Sequence, residues 1–125
     1  SLYVNETLTG MVYRYGWRAG ELPGPRENLA NVVDWSLPRS YRGPDGMKFG
    51  ADGRLFVTVY GQREVAVLSP DGAVVDRIRT DGRNPTNCAF GPRGERRLYV
   101  TEVERGTLEV LEVGTEGLPL YTGTP

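Results

Sequence analysis

Carboxylates in Asp-Gly pairs are the side chains of this sequence whose type and spacing could support chemistry. Three pairs lie within residues 43–72, and the first of them follows Pro44 in the string GPDGMKFG. The pairs at 52–53 and 71–72 stand between strand-like runs, where Asp bonds the nearby backbone and Gly accepts a positive φ, as in hairpin turns. Asp45 instead precedes a strand-like run. Two interpretations of Asp45 are therefore open, a turn residue and a functional carboxylate.

The residues beside Asp45 favour a fixed side chain. Pro44 restricts the backbone on one side, and Gly46 allows a sharp turn on the other, so the carboxylate is held as a ligand requires. Hard divalent cations prefer oxygen ligands, and a positioned carboxylate can also accept a proton. If Asp45 is functional, it is a metal ligand, a general base or both in turn.

The sequence has no histidine and one cysteine, Cys88. Within this chain, that composition excludes Ser-His and Cys-His nucleophile pairs, His-rich zinc sites and an intrachain disulfide. Ala89 and Phe90 follow Cys88, so we expect a buried structural thiol. Hydrolysis would have to use carboxylates, metal ions or hydroxyls.

The charge and hydropathy of the sequence bear on whether the chain binds nucleic acid or a membrane. The chain has 15 basic and 16 acidic residues, mixed along its length, which predicts no nucleic-acid partner. No apolar run approaches the roughly 18 residues that span a bilayer, so no membrane partner is expected. No targeting segment and no initiator Met are visible. We expect a cytoplasmic protein whose natural start could lie upstream of Ser1.

The elements that would position these residues form a repeat. Residues 43–59 align with residues 84–103, with a period of about 41 to 43 residues that is typical of four-stranded propeller blades. A truncated third copy opens the chain at Leu2. Alternating apolar residues between Gly, Pro and Asp-Gly predict eleven strands. They are 2–6, 11–17, 29–35, 45–50, 54–60, 64–69, 74–80, 86–91, 97–103, 107–113 and 117–122. Residues 29–35 also fit helical spacing.

The predicted fold is all-β, a partial six-bladed β-propeller of about three blades. Residues 1–38 would form an incomplete blade, and residues 39–82 and 83–125 would each form a full one. A blade cannot bury both of its faces alone. An open arc would leave two apolar faces and a sheet edge in water. The chain is therefore expected to close with a second copy or to belong to a longer chain.

The repeat adds weaker site candidates. Asn87 stands where Gly46 stands in the preceding copy, and it could bind a sugar-like ligand or cap its strand. Tyr60, before a glycine, could line the ligand mouth or pack at a strand end. Glu6 and Glu102 share one repeat position, where a catalytic pair is one hypothesis and two solvated strand ends the other.

Two strings of the sequence resemble a known protein family. The strings PDGMKFGADGRLFVTVYG and NPTNCAFG are similar to the carboxy-terminal half of the gluconolactonase, senescence-marker and luciferin-regenerating family of six-bladed propellers. The resemblance implies metal-dependent hydrolysis of sugar lactones, with a divalent cation in the axial channel. Calcium is the first expectation, and zinc, magnesium and manganese are alternatives. The family's ligands are an amino-terminal Glu, an Asn in an Asn-Gly turn and the Asp of Pro-Asp-Gly, of which only the last matches, at Asp45.

Two functions from different classes follow. The first is a gluconolactonase-like lactone hydrolase that needs a complete ring and takes a small lactone or sugar acid, with Asp45 as its catalytic residue. The second is a non-catalytic half-propeller, a fragment or assembly module that lacks the full metal site. A related propeller of the strictosidine-synthase-like group, in which metal would be dispensable, is a weaker third hypothesis. In the first two, a homodimer or a missing amino-terminal half would complete the ring.

Overall fold

The computed structural model describes residues 1–38 and 41–123 as ten strands in three antiparallel sheets. The all-β prediction is confirmed, and this part of the chain contains no helix that could cross a membrane. The strands are β1 (Leu2–Glu6), β2 (Met11–Tyr15), β3 (Arg26–Asn31), β4 (Gly43–Phe49), β5 (Leu55–Tyr60), β6 (Glu64–Leu68), β7 (Val74–Arg79), β8 (Pro85–Phe90), β9 (Arg97–Glu102) and β10 (Thr107–Glu112).

Each strand pairs with the next strand of its own sheet. The first sheet has the order β1-β2-β3, the middle sheet β4-β5-β6-β7 and the last sheet β8-β9-β10. Strands β5 and β6 are almost continuously buried, whereas β10 has only exposed and half-buried residues. A continuous apolar run is what a strand covered on both faces requires. The middle sheet is therefore sandwiched between the other two.

Two apolar clusters hold the three sheets together. One lies between the first and middle sheets and includes Val12, Val32 and Val57. The other lies between the middle and last sheets and includes Phe56, Cys88 and Val100. Aromatic pairs in edge-to-face contact extend both, Tyr3 with Phe49 and Phe56 with Phe90 at centroid distances of 4.8 and 5.3 Å. The burial predicted for Cys88 is confirmed, since its exposed fraction is 5%.

The third strand begins and ends earlier than the sequence predicts. It spans residues 26–31 rather than 29–35, because its partner β2 starts at Met11, which pairs with Asn31 and leaves no ladder beyond that point. The chain then bonds to side chains instead. The backbone N–H of Val33 donates to Asn31 Oδ1 at 3.0 Å, and that of Asp34 donates to Gln62 Oε1 at 2.9 Å.

The strand predicted at residues 117–122 is wrong. Gly117 forms a single bridge with Gly50, and the backbone N–H of Leu118 donates to the Phe49 carbonyl at 2.9 Å. The segment therefore crosses to the middle sheet rather than joining β10. Gly114, with φ of 72°, turns the chain away from the last sheet, and Pro119 has no N–H for a ladder.

The two outer faces of the arc carry exposed apolar residues. On the first sheet, Leu2 and Val4 are each 41% exposed, and on the last sheet Leu108 and Val110 are 61% and 50% exposed. Among the described residues nothing covers these faces. They are the faces that a neighbouring blade would bury in a propeller.

Candidate functional site

Asp45 lies in a β-bulge of β4. The β4–β5 ladder pairs Pro44 with Val59 and Met47 with Val57, so Asp45 and Gly46 together face the one residue Thr58. The buried Thr58 hydroxyl donates to the Gly46 carbonyl at 2.9 Å and fixes the bulge. A bulge redirects the side chain that it carries. Asp45 is thus a bulge residue at the start of the inner strand, not the corner of a hairpin.

The other two carboxylates behave as hairpin residues should. Asp52 accepts a hydrogen bond from the backbone N–H of Arg54 at 3.1 Å, and Asp71 accepts one from Ala73 at 3.4 Å. The pKa of Asp71 is lowered, mainly by its hydrogen bond with the Ser69 hydroxyl. Partial burial acts to raise the pKa of Asp52, but the hydrogen bonds and charge of Arg54 outweigh it, so this pKa is lowered too.

Asp45 has a different environment. Its side chain is exposed and makes no hydrogen bond or ion pair with any residue in the described ranges. Desolvation by the surrounding protein raises the pKa of its carboxyl, with no opposing cation. Its carboxylate oxygens are therefore free to meet a ligand.

Residues of the first and last sheets clamp the bulge. Asn5 Nδ2 donates to the Asp45 carbonyl, and the Thr7 hydroxyl donates to the Pro44 carbonyl at 2.9 Å. From the other side, Asn87 packs against Gly46. Sequence reasoning missed Asn5 and Thr7. The available signal was their place at the end of β1, which lies at the same end of the arc as the start of β4.

Asn87 makes the contact that a strand cap makes. Its Oδ1 accepts a hydrogen bond from the Cys88 backbone N–H at 2.9 Å, while its side chain stays exposed beside the Asp45 bulge. β8 has a bulge at the corresponding place, between Pro85 and Asn87, where the Thr86 and Thr101 hydroxyls lie 2.8 Å apart. A substrate contact by Asn87 stays a prediction.

Tyr60 lies at the same end of the arc as Asp45. It pairs with Gly43 and contacts Tyr41 edge to face, with centroids 5.6 Å apart. These two rings, with Arg83 and Asn84, line a cavity of about 180 Å³. Tyr60 thus packs against another aromatic ring and also lines a cavity. Its contact with substrate stays a prediction.

Glu102 is not a solvated strand end, so that hypothesis is wrong for this residue. It is 2% exposed and accepts hydrogen bonds from the backbone N–H groups of Asn84, Glu104 and Arg105 at 3.0, 2.7 and 2.8 Å. Desolvation acts to raise its pKa, but these three donors prevail and lower it. Glu102 therefore holds loops together and is not free for a catalytic pair with the exposed Glu6.

Cys88 is not a nucleophile at neutral pH. Desolvation raises the pKa of its thiol to about 12, against a small opposite effect of the Lys48 charge. The thiolate is the reactive form, so a thiol with this pKa is inert near pH 7.

A second cavity, larger than the one at Tyr60, lies away from Asp45. It measures about 770 Å³, lies at the far ends of β4 and β8 against Phe49 and Phe90, and is bordered by residues 116–121. Its lining is mainly apolar, and the Glu116 carboxylate there accepts a hydrogen bond from the Gly94 backbone N–H. The carboxylate in this cavity is thus engaged by the backbone, whereas that of Asp45 has no partner among the described residues, so Asp45 is the candidate site.

Asp45 can be tested as a metal ligand by the chemistry of its side chain. An exposed, unpaired carboxylate on a held backbone fits one position of a hard cation, but Ca²⁺ takes about 6–8 oxygen ligands. Residues 1–38 and 41–123 contain no group of three or more His, Cys, Asp or Glu side chains that could together hold a metal ion. Asp45 thus fits as one ligand, and the described residues do not complete a centre.

The structure has three adjacent antiparallel sheets, and β4 and β8 begin at the same end of the arc, beside the exposed carboxylate of Asp45. This arrangement defines a segment of a β-propeller. Residues 1–104 match the family model described as the SMP-30/Gluconolactonase/LRE-like region. The chain therefore belongs to this family.

Individual relatives are consistent with this family assignment. The chain is 35% identical over 99 residues to the 6-deoxy-6-sulfogluconolactonase of Pseudomonas putida, which covers 79% of this chain and 33% of the relative. The chain spans about a third of the length of the curated relatives that it matches.

Two solved propellers share the fold. A luciferin-regenerating enzyme superposes with a TM-score of 0.76 at 21% identity, over 93% of this chain and 42% of its own. Regucalcin from Agrobacterium tumefaciens, described as a calcium-binding protein, gives 0.67 at 24% identity, over 87% and 40%. At these identities the likeness concerns the fold.

Proposed function

We propose that this chain is the part of a metal-dependent lactone hydrolase that supplies Asp45 to the reaction site. The observation that carries the proposal is the carboxylate of Asp45, which is exposed, unpaired among the described residues and held in a bulge between three sheets. Family membership and a sugar-lactone-hydrolysing relative support it. The substrate class is a small sugar lactone.

Asp45 suits two tasks in lactone opening. Water must lose a proton as it attacks the ring carbonyl, and a carboxylate without another partner can accept that proton. The same oxygens suit a divalent cation, calcium first, because a solved relative of this fold is described as calcium-binding. The remaining ligands would come from outside the described residues, and Asn87 and Tyr60 would contact the substrate.

Ring closure is part of the proposal. Residues 1–38, 39–82 and 83–125 would be three blades of a six-bladed ring, completed by a second copy or by a preceding half. The exposed apolar faces at both ends of the arc support this, because such faces associate in water. Light scattering should then give about twice the chain mass of 13.8 kDa for a homodimer. A stable monomer would contradict closure by a second copy. A cytoplasmic location stays a prediction.

The test of function uses proton release during gluconolactone opening, with calcium, magnesium, manganese or zinc added to the chain. We expect metal-stimulated opening that Asp45→Asn reduces by at least about 100-fold, within the range of general acid–base effects. Asp52→Asn is the matched control, since it changes a hairpin carboxylate of the same sheet. Wild-type rates equal to buffer with every metal would remove the proposal for this chain.

A non-catalytic half-propeller is the second candidate. It is favoured by the single free carboxylate at the site and by the lack of a metal cluster among the described residues. Calorimetric titration with Ca²⁺ separates the two candidates. About one ion bound per ring supports the hydrolase, and no binding supports the scaffold. Lactone opening that proceeds equally in chelator would instead favour the strictosidine-synthase-like alternative.

A further inference from the structure

The cavity between Tyr41, Tyr60, Arg83 and Asn84, here called the rim pocket, is a built feature of the Asp45 end. Its volume of about 180 Å³ leaves room for one polar substituent of a ligand. Tyr41 and Asn84 lie directly ahead of β4 and β8, the strands that carry Asp45 and Asn87. The pocket therefore opens where the inner strands begin.

Its aromatic wall is fixed by a close backbone approach. Gly61 has φ of 77°, and a Cβ there would lie 2.0 Å from the Tyr41 carbonyl oxygen. Only glycine lets the chain at Tyr41 pass this close to the end of β5, which brings the Tyr41 ring to the Tyr60 ring. Neither tyrosine hydroxyl has a hydrogen-bond partner within the described ranges, so both can bind a ligand.

The polar wall is equally fixed. All five backbone N–H groups of residues 80–84 are hydrogen-bonded, to the Arg63 carbonyl and to carboxylates of Glu102, Glu104 and Glu109, at 2.8 to 3.3 Å. Three acidic side chains are thus directed at the loop backbone. These bonds hold the backbone of the loop, and with it the points from which the Arg83 and Asn84 side chains extend.

Arg83 is the one charged residue among the described residues that line the rim pocket. Glu104 is the carboxylate beside Arg83, at 3.5 Å, and it also lies 4.0 Å from Arg63, so one anion faces two guanidinium groups. No carboxylate lines the pocket itself. Arg83, the Asn84 amide and the two hydroxyls all offer hydrogen-bond donors. A set of donors that includes a guanidinium suits an anionic, oxygen-rich group.

We propose that the rim pocket binds a negatively charged substituent of the sugar lactone, and that Arg83 is its specificity-determining residue. This rests on the proposed function for the identity of the ligand as a sugar acid. Arg83 would hold the charged end of the ligand while the lactone ring lies toward Asp45. The pocket thereby favours acidic lactones over neutral ones.

Binding can be tested without turnover. D-glucuronate is the anionic probe and D-glucose is the neutral probe, each titrated into the ¹⁵N-labelled chain and followed by NMR at the Asn84 side-chain amide and the Arg83 Nε–H. We expect glucuronate to bind with a dissociation constant on the order of millimolar and glucose to bind at least about fivefold more weakly. Arg83→Met should remove that preference, and raising the salt concentration should weaken glucuronate binding alone.

Controls keep the result interpretable. Arg96→Met, at the opposite end of β9, should leave both probes unchanged, and Tyr60→Phe should weaken glucuronate binding while keeping the ring contact. Circular dichroism melts confirm that each variant folds. No glucuronate binding, equal binding of both probes, or a preference that survives in Arg83→Met would overturn the inference. Selective binding in a chain that opens no lactone would uphold the pocket and remove the proposed hydrolase.

Discussion

Asn87 lies so close to Gly46 that position 46 has no space for a side chain. A Cβ there would be 2.0 Å from Asn87 Oδ1 and 2.7 Å from Asn87 Cα. The inner strands of the middle and last sheets, β4 and β8, therefore approach each other closely at the residue next to Asp45. This contact makes the position of Asp45 depend on the packing of two sheets.

Gly46→Ala should move Asp45. Because the neighbouring atom at 2.7 Å is backbone, the strand itself must shift, and overpacking of this kind costs about 1–3 kcal/mol of the free energy of unfolding. Urea unfolding measures this loss, and any lactone opening should fall with it. Gly16→Ala is the matched control, since nothing lies within 4 Å of a Cβ at position 16. Equal stability of the two variants would mean that the strands are not in this contact.

Glu102→Gln should change how stability depends on pH. The pKa of Glu102 is lowered in the folded protein, so the carboxylate contributes stability above its unfolded pKa, near 4.3. That contribution is lost as pH falls through the lower folded pKa. The neutral variant should lose about 1–3 kcal/mol of unfolding free energy at pH 7, because one buried carboxylate serves three donors.

The difference between wild type and Glu102→Gln should shrink as the pH is lowered from about 5 toward 2. Thermal melts across that range check it, and Glu6→Gln, which replaces an exposed carboxylate, is the control. A difference that stays constant with pH would show that the charge of Glu102 is not what holds its loops.

Cys88 should be unreactive in the folded chain. With a thiol pKa of about 12, the thiolate fraction at pH 8 is about 10⁻⁴, against about 10⁻¹ at the usual value of 9.0. Burial at 5% exposure adds to this protection. Labelling with an aromatic disulfide reagent should therefore be at least about 100-fold slower in buffer than in denaturing urea. Comparable rates in the two solvents would mean that the cluster around Cys88 opens readily.

Most of the strand layout was predictable from the sequence, and particular residues show why the rest was not. Alternation and Asp-Gly turns locate β4 to β6 within two residues, since both signals are local. The burial of Glu102 was not predictable, because it depends on loop 80–84 folding back over the end of β9. The crossing of Gly117 to Gly50 depends likewise on another sheet.

The candidate site likewise has features that the sequence predicts and features that it does not. The Pro-Asp-Gly context singled out Asp45 from its own neighbours in sequence. The bulge could not be foreseen, because it exists only in the pairing of β4 with β5 through Thr58. Arg83 gave no signal of its own in the sequence, where it is one of several arginines in polar connections.

Strands β5 and β6 are covered on both faces by neighbouring sheets, and this determines which parts of the molecule open first. Amide hydrogens of these two strands should exchange with solvent last, because an opening that reaches them must separate both neighbouring sheets. The outer sheets can fray earlier, each from its open face. Asp45 is joined through β4 to the slowest part of this hierarchy, so its backbone should keep its place in the bulge through fluctuations that loosen both ends of the arc.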